Sequence, residues 1–366
     1  MGFTCGIVGL PNAGKSTLFN AMTKSAQAET ANYAFTTIDP NIGRVSVPDP
    51  RLDKLAELAK SKKIVPTFLD FADIAGLVRG ASDGEGLGNQ FLGHIREVDA
   101  ILFVLRSFDD DNISHVENRV DPVADAETVE TELMLADLES LERREIALSK
   151  KAKGDDKDAK EILPLMSRAL AWLRTGEPCR TLEIDPSEEK ALRGLQLLTA
   201  KPAVYIANVD EESAATGNAH SEKLATWAAE KGAPCVYISA AIEAEISGFD
   251  DEAERAEFLE SMGLEETGLA RVIHTGYALL DLVTFFTAGP TESRAWTVPK
   301  GTPAPEAAGT IHTDFERGFI RAETIAYDDY IACEGESGAR DAGKLRLEGK
   351  DYIVQDGDVL LIRFNV

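Results

Sequence analysis

Three groups of residues in this chain have types and spacing that could do chemistry. The first, Gly9-Leu10-Pro11-Asn12-Ala13-Gly14-Lys15-Ser16-Thr17, has the form G-x-x-x-x-G-K-S. Glycines in that pattern let backbone N–H groups turn inward around a β-phosphate, and the helix that follows adds its partial positive charge. Lys15 can reach the β- and γ-phosphates, and the Ser16 hydroxyl can ligate Mg2+. The second group is Asp73-Ile74-Ala75-Gly76, a D-x-x-G. Asp73 can hold Mg2+ through water, and the Gly76 N–H can bond a γ-phosphate. The third is Asn208-Val209-Asp210-Glu211, with Ser239-Ala240 following at the end of the next strand. A guanine-reading N-K-x-D ends in an Asp that accepts two hydrogen bonds from the N1 and N2 edge. Here the Lys is absent and the last carboxylate is one methylene longer. Loss of a fitted acceptor relaxes or changes base choice, which brings adenine into consideration.

These residues act together only if strands and helices deliver them to one place. The apolar run 3–8 reads as a buried strand, and 17–22 as the first turns of a helix. Residues 66–73 read as a strand ending at Asp73, and 100–106 as a third. Two more, 202–207 and 233–238, end where a doubly wound sheet places its base-recognition loops. The polar stretch 31–41 holds Thr36 and Thr37 ahead of an extended run, 43–47. In a nucleotide switch, a Thr here closes over Mg2+ and the γ-phosphate; a Thr pair before a strand is also ordinary loop chemistry. Leu77 stands where such switches place a Gln to orient the attacking water. Leucine cannot hydrogen-bond a water, so a hydrolase built this way must find that group elsewhere.

Between the third and fourth strands lie two amphipathic helical patterns. Residues 125–153 carry Met134, Leu138, Leu141 and Leu148 on one stripe, and 159–174 carry Leu163, Met166, Leu170 and Leu173. A short polar turn joins them, as in a helical hairpin or coiled-coil arm inserted into the nucleotide domain. Pro164 is expected to kink the second helix near its start. Arg143, Arg144, Lys150, Lys151, Lys153, Lys157 and Lys160 make the tip basic. Such a cluster is either a solvated helix end or a contact for RNA backbone. Residues 250–259 read as an acidic helix, and 268–282 as another that leads out of the domain. From Val283 the character changes to short alternating runs, 318–324 and 351–366. The last reads as strand, Asp356-Gly357-Asp358 turn, strand, within a small β-grasp-like module. His312, Asp314 and Glu316 near it read as surface polarity in preference to a metal site.

The formal net charge of −25 works against sequence-independent nucleic-acid binding by the whole surface and leaves room for a local basic patch. No apolar run approaches the length of a membrane span, and no basic-then-apolar signal pattern opens the chain. Cys5, Cys179, Cys235 and Cys333 are scattered without metal-like spacing and read as free thiols in a reducing cytoplasm.

Taken together and in this order, the motifs resemble the YchF/Obg-like ATPase family nearly end to end. The resemblance rests on Gly9 to Thr17, Phe35-Thr36-Thr37-Ile38-Asp39-Pro40-Asn41, Asp73-Ile74-Ala75-Gly76-Leu77-Val78 and Gly84-Glu85-Gly86-Leu87-Gly88-Asn89. It continues through Asn208 to Glu211 and a tail from Arg294-Ala295-Trp296-Thr297 to Asp351-Tyr352-Ile353-Val354. It implies an α/β fold: an Obg-type P-loop G domain over 1–124 and 200–278, an inserted coiled-coil arm over 125–199, and a β-grasp TGS domain over 281–364. It places nucleotide contacts on Asn12, Ala13, Gly14, Lys15, Ser16 and Thr17, on Asp73 and Gly76, and on Asn208, Val209, Glu211 and Ser239. Mg2+ falls on Ser16 and Thr37, and the Asn12 position matches one that binds K+ in related hydrolases. A substitute catalytic His falls on His115. Where many relatives have Pro, this chain has Ala34. The resemblance further implies a cytoplasmic monomer that prefers ATP to GTP, hydrolyses it slowly, and binds the ribosome, chiefly the large subunit, through rRNA and ribosomal protein, with no membrane partner. An Obg-class GTPase, a small-molecule kinase and a binding-only scaffold stand as alternatives.

Overall fold

In the computed structural model the described residues are 3–30, 42–74, 87–110, 119–154, 156–249 and 251–365. In chain order the elements are β1 (Thr4–Val8), α1 (Lys15–Thr30), β2 (Ile42–Ser46), α2 (Pro50–Ala59), β3 (Ile64–Val65), β4 (Phe68–Asp73), α3 (Leu87–Glu97) and β5 (Ala100–Arg106). Then come α4 (Pro122–Lys153), α5 (Lys157–Leu173), α6 (Glu189–Leu195), β6 (Ala203–Asn208), α7 (Ala219–Glu230), β7 (Cys235–Ile238), α8 (Ala240–Ile246), α9 (Glu252–Ser261) and α10 (Gly268–Leu279). The last stretch holds β8 (Leu282–Thr287), β9 (Ser293–Pro299), α11 (Ala304–Ile311), α12 (Thr313–Arg317), β10 (Phe319–Ala326), α13 (Tyr327–Ala332), α14 (Glu336–Asp341), β11 (Arg346–Glu348) and β12 (Asp358–Phe364).

By packing, Phe3–Val45 and Asp70–Gly276 form one unit, and Ser46–Leu69 groups with Tyr277–Val366 in another. The first unit is built on a sheet of order β2-β4-β1-β5-β6-β7, in which β4, β1, β5, β6 and β7 are parallel. Strands buried on both faces are apolar along their whole length; every residue of β5 and β6 is buried. The chain runs from β1 to β4 on one side and to β5 on the other. The switch point therefore lies at the carboxyl end of β1, where a doubly wound sheet binds its ligand.

The inserted arm is two helices, as the apolar stripes require. The 32 residues of α4 span ~48 Å at helical rise. Leu141, Leu165, Met166, Leu170 and Leu173 are buried between the helices, flanked by Met134, Leu138, Leu148 and Ile162. Leu165 and Ile162 do the packing expected of Leu163. Pro164 lies inside α5, and Asp156 caps that helix through the Ala159 N–H at 3.0 Å.

Buried polar bonds fasten the arm at its base. The Asp137 carboxylate accepts from the N–H groups of Leu198 and Thr199 at 2.9 and 2.8 Å, and from the Thr199 hydroxyl at 2.7 Å. Burial still pushes this carboxyl above its ordinary value. Nearer the sheet, Arg180 bonds Glu130 and the Tyr205 hydroxyl, and Tyr205 bonds Glu130 in turn.

The second unit is a mixed sheet of order β11-β10-β12-β8-β9-β3. One face packs on α11, with Phe285, Val298, Ala308, Phe319 and Leu360 in the core. The other face is covered by α2, α13 and α14 through Leu52, Leu55, Phe286, Ile325, Tyr330 and Val359. The tail departs from the expected strand-turn-strand. Only Asp358–Phe364 is a strand of the ladder, and Ile353 makes an isolated bridge to Pro303. The two aspartates at the turn explain this. Asp356 is spent on the Thr284 N–H, and buried Asp358 accepts from the Gln355 N–H and the Tyr352 hydroxyl, so the preceding residues fold back locally. His312 likewise serves as a cap, accepting from the Asp314 N–H at 3.2 Å.

The four cysteines are free thiols. Among the described residues no helix is long and apolar enough to cross a membrane. Leu55 is 0 % exposed and Leu135 is 46 % exposed. Leu55→Ala should therefore cost about 2–5 kcal/mol in chemical denaturation of the full chain, whereas Leu135→Ala should stay within about 0.5 kcal/mol of the parent.

Candidate nucleotide-binding site

The phosphate loop is shaped by what its neighbours leave no room for. Gly9 has φ +153°, and a Cβ there would sit 2.3 Å from the Val104 carbonyl oxygen. Gly14 has φ +98°, and a Cβ there would sit 2.3 Å from the Asn208 Nδ2. Asn12 takes the left-handed conformation, φ 61°, which Asn tolerates better than most side chains. The chain then enters α1 at Lys15, with the Leu18 N–H bonded to the Gly14 carbonyl at 2.9 Å. Ser16 and Thr17 are exposed on the first turn, beside N–H groups that a helix start leaves unpaired.

Lys15 is only 8 % exposed, and its Nζ donates to the Leu10 carbonyl at 2.8 Å across the loop. Burial lowers its pKa, and the charge of Asp73, at the end of β4, partly restores it. The converse holds at Asp73: burial pushes the carboxyl up, and Lys15 pulls it back. Both charged groups are held partly desolvated, the condition in which an added phosphate or cation interacts most strongly.

The third sequence group meets the first directly. Asn208, 4 % exposed, donates from Nδ2 to the Ala13 carbonyl and accepts at Oδ1 from the Ala240 N–H, each at 3.0 Å. Ser239 caps α8 by accepting from the Ile242 N–H. Val209 lies in the core, and its N–H donates to the Ile238 carbonyl at 2.8 Å. Glu211 is exposed, while Asp210 turns the chain by accepting from the Ser213 N–H at 2.8 Å. The structure thus brings together Asn12 to Thr17, Asp73, Asn208 and Ser239. Thr37, Gly76, Leu77 and His115 lie outside the described residues.

Ala240, noted in the sequence beside Ser239, takes part through its backbone N–H. One participant was not picked out from the sequence. Asn218 caps α7 and reaches back from Nδ2 to the Ser107 carbonyl at 2.7 Å, while the Ser107 N–H bonds the Asn208 carbonyl at 2.8 Å. An Asn opening a helical stretch is a legible N-cap, but its second bond is non-local.

For a metal, the nearby donors are hard oxygens, the Ser16 hydroxyl and the Asp73 carboxylate. Among the described residues no group of three or more His, Cys, Asp or Glu could cage an ion. One or two protein oxygens completed by phosphates and water suit Mg2+ and not a thiolate- or imidazole-loving metal.

Two family models match: one for 50S ribosome-binding GTPases over residues 4–138, and YchF-GTPase_C, described as a protein of unknown function, over 282–365. The chain is 56% identical over 366 residues to the ribosome-binding ATPase YchF of Pasteurella multocida, covering 100% of both proteins. The chain belongs to the YchF family. It is also 54% identical over 368 residues to the protein of that name from Bacillus subtilis, again over 100% of each. A solved YchF GTPase from Schizosaccharomyces pombe superposes with a TM-score of 0.89 at 40% identity, over 99% of this chain and 97% of that one. A GTP-binding protein from Pyrococcus horikoshii, 20% identical with a TM-score of 0.60, over 99% of this chain and 100% of that one, shares the fold. The YchF family thus accounts for the P-loop G domain and C-terminal domain seen here.

The lowered pKa of Lys15 has a sign that can be tested. Ionised Lys15 is penalised in the folded chain, fully below its lowered pKa and not at all above the unfolded value of 10.5. Replacing it by the apolar isostere Met should therefore raise the melting temperature of the nucleotide-free protein at pH 7 and abolish the further rise that ATP gives the parent. Thermal denaturation with and without ATP checks both.

Proposed function

We propose that this protein is a ribosome-binding ATPase: it takes Mg2+-bound ATP in preference to GTP, hydrolyses it slowly, and uses the bound nucleotide to control docking on the ribosome, chiefly the large subunit. The observation that carries the base preference is the Asn208–Glu211 loop. Asn208 is committed inward to Ala13 and Ala240, Val209 has its side chain in the core, and Glu211 is exposed. The short, fitted carboxylate that reads guanine is absent, and Val209 can meet a base only through its backbone. Names support the rest: relatives from Pasteurella and Bacillus are called ribosome-binding ATPases. The Schizosaccharomyces relative is called a GTPase, which keeps an Obg-class GTPase as the second reading.

In the chemical step Lys15 and the loop N–H groups offset charge developing on the transferred phosphoryl oxygens. Ser16 and Thr37 would hold Mg2+, with Asp73 behind it; when bound, the ion neutralises β- and γ-phosphate charge. Asn12 would hold K+ as a further cation. Gly76 senses the γ-phosphate, and His115 orients the attacking water, because Leu77 cannot. The basic arm tip, from Arg143 to Lys160, meets rRNA backbone, and a TGS-type C-terminal domain adds binding surface.

His115→Ala should lower turnover about 100-fold or more with nucleotide affinity unchanged; parental turnover would remove His115 from the mechanism. The joint change Lys150→Glu, Lys151→Glu, Lys153→Glu should abolish co-sedimentation with ribosomes and leave ribosome-free turnover intact. Product analysis should give ADP and phosphate only; a phosphorylated acceptor would turn the reading to a kinase.

A further inference from the structure

Arg106 is the last residue of β5 and stands opposite Asn208 in the parallel ladder. It is only 3 % exposed, at the end of a strand that is otherwise apolar. A guanidinium keeps its charge when buried, so its N–H groups need acceptors close by. Two of these come from the chain that follows. Nε donates to the Phe108 carbonyl at 3.1 Å, and Nη2 donates to the Asp110 carbonyl at 2.9 Å. The guanidinium carbon also lies 4.9 Å from the centre of the Phe108 ring, within range of a cation–π contact. The end of the strand thus bends back around a buried cation.

The same turn is tied to its neighbours. The Ser107 N–H bonds the Asn208 carbonyl at 2.8 Å, and the Ser107 carbonyl accepts from Asn218 Nδ2 at 2.7 Å. All of these residues belong to one packed unit with the phosphate loop. In its sheet, β5 lies between β1 and β6. The phosphate loop leaves β1, and the candidate base loops leave β6 and β7. Neighbouring strands run about 4.8 Å apart, which sets the ends of β1 and β6 about 10 Å from each other. A nucleotide with its phosphates on the first loop and its base on the others must cross the end of β5 with its sugar.

We propose that Arg106 is a positioning residue for the nucleoside: it holds residues 107–110 in the shape that borders the sugar and base, and it has no part in holding the phosphates. This rests on the nucleotide reading of the site and assigns a residue to its nucleoside half. A turn already folded around the guanidinium need not be ordered when the ligand arrives, and that saving appears as affinity.

The test uses the full chain, Arg106→Met and Arg106→Lys. Met removes the cation, whereas Lys keeps a charge without the planar fork. ATP, ADP and inorganic triphosphate are each titrated with Mg2+ by calorimetry. The expected result for Arg106→Met is a loss of about three- to tenfold in affinity for both ATP and ADP, with triphosphate bound as by the parent. Arg106→Lys should show the same split with a smaller loss, and it decides the matter if the Met variant does not fold. Parental affinity for ATP and ADP in the variants overturns the proposal. An equal loss for triphosphate also overturns it, because the arginine then supports the whole unit and not the nucleoside. If the parent binds neither ATP nor triphosphate, the reading of the site itself fails and takes the proposal with it.

Discussion

Asn208 donates to the Ala13 carbonyl and accepts from the Ala240 N–H, both through a carboxamide shut away from water. A buried amide that loses a partner costs far more than the net worth of one exposed hydrogen bond. The phosphate loop, the end of β6 and the start of α8 are therefore held as one piece. Gly14 follows from that closeness, because a side chain there would displace the amide. The Asn208 carbonyl extends the same piece to Ser107, and Ser107 to the cap of α7. The ends of four strands, β1, β5, β6 and β7, thus form one rim, into which Lys15 is pressed with little solvent.

That rim divides the work of the site. The phosphate half is made of backbone groups and one buried cation, and it has no means of telling one base from another. On the proposed reading, base choice falls to residues beyond Asn208, where Val209 is turned into the core and Glu211 outward. Names given to relatives, one an ATPase and another a GTPase, differ at this point and agree on the phosphate chemistry.

Legibility of the chain from its sequence follows the range of the forces involved. The phosphate loop, strand 100–106 and the arm helices are set by local spacing and apolar period, and they emerge with those bounds or within a few residues of them. The motif order assigns Asn208 and Ala13 to one site, but the bond between them, across 195 positions, has no signal in the sequence. Two further features had no such signal. The grouping of residues 46–69 with the C-terminal sheet depends on a two-residue strand and a short amphipathic helix, each of which fits several partners. The tail read as a hairpin because Asp-Gly-Asp favours a turn. The side chains of Asp356 and Asp358 instead claimed the backbone groups that a ladder would have used.

The central claim is that a site with the phosphate machinery of a GTPase selects adenine because its base loop lacks the guanine-reading carboxylate. Competitive titration of the nucleotide-free full chain with ATP and GTP at saturating Mg2+ tests it most directly. The account predicts tighter binding of ATP than of GTP; tighter binding of GTP would contradict it.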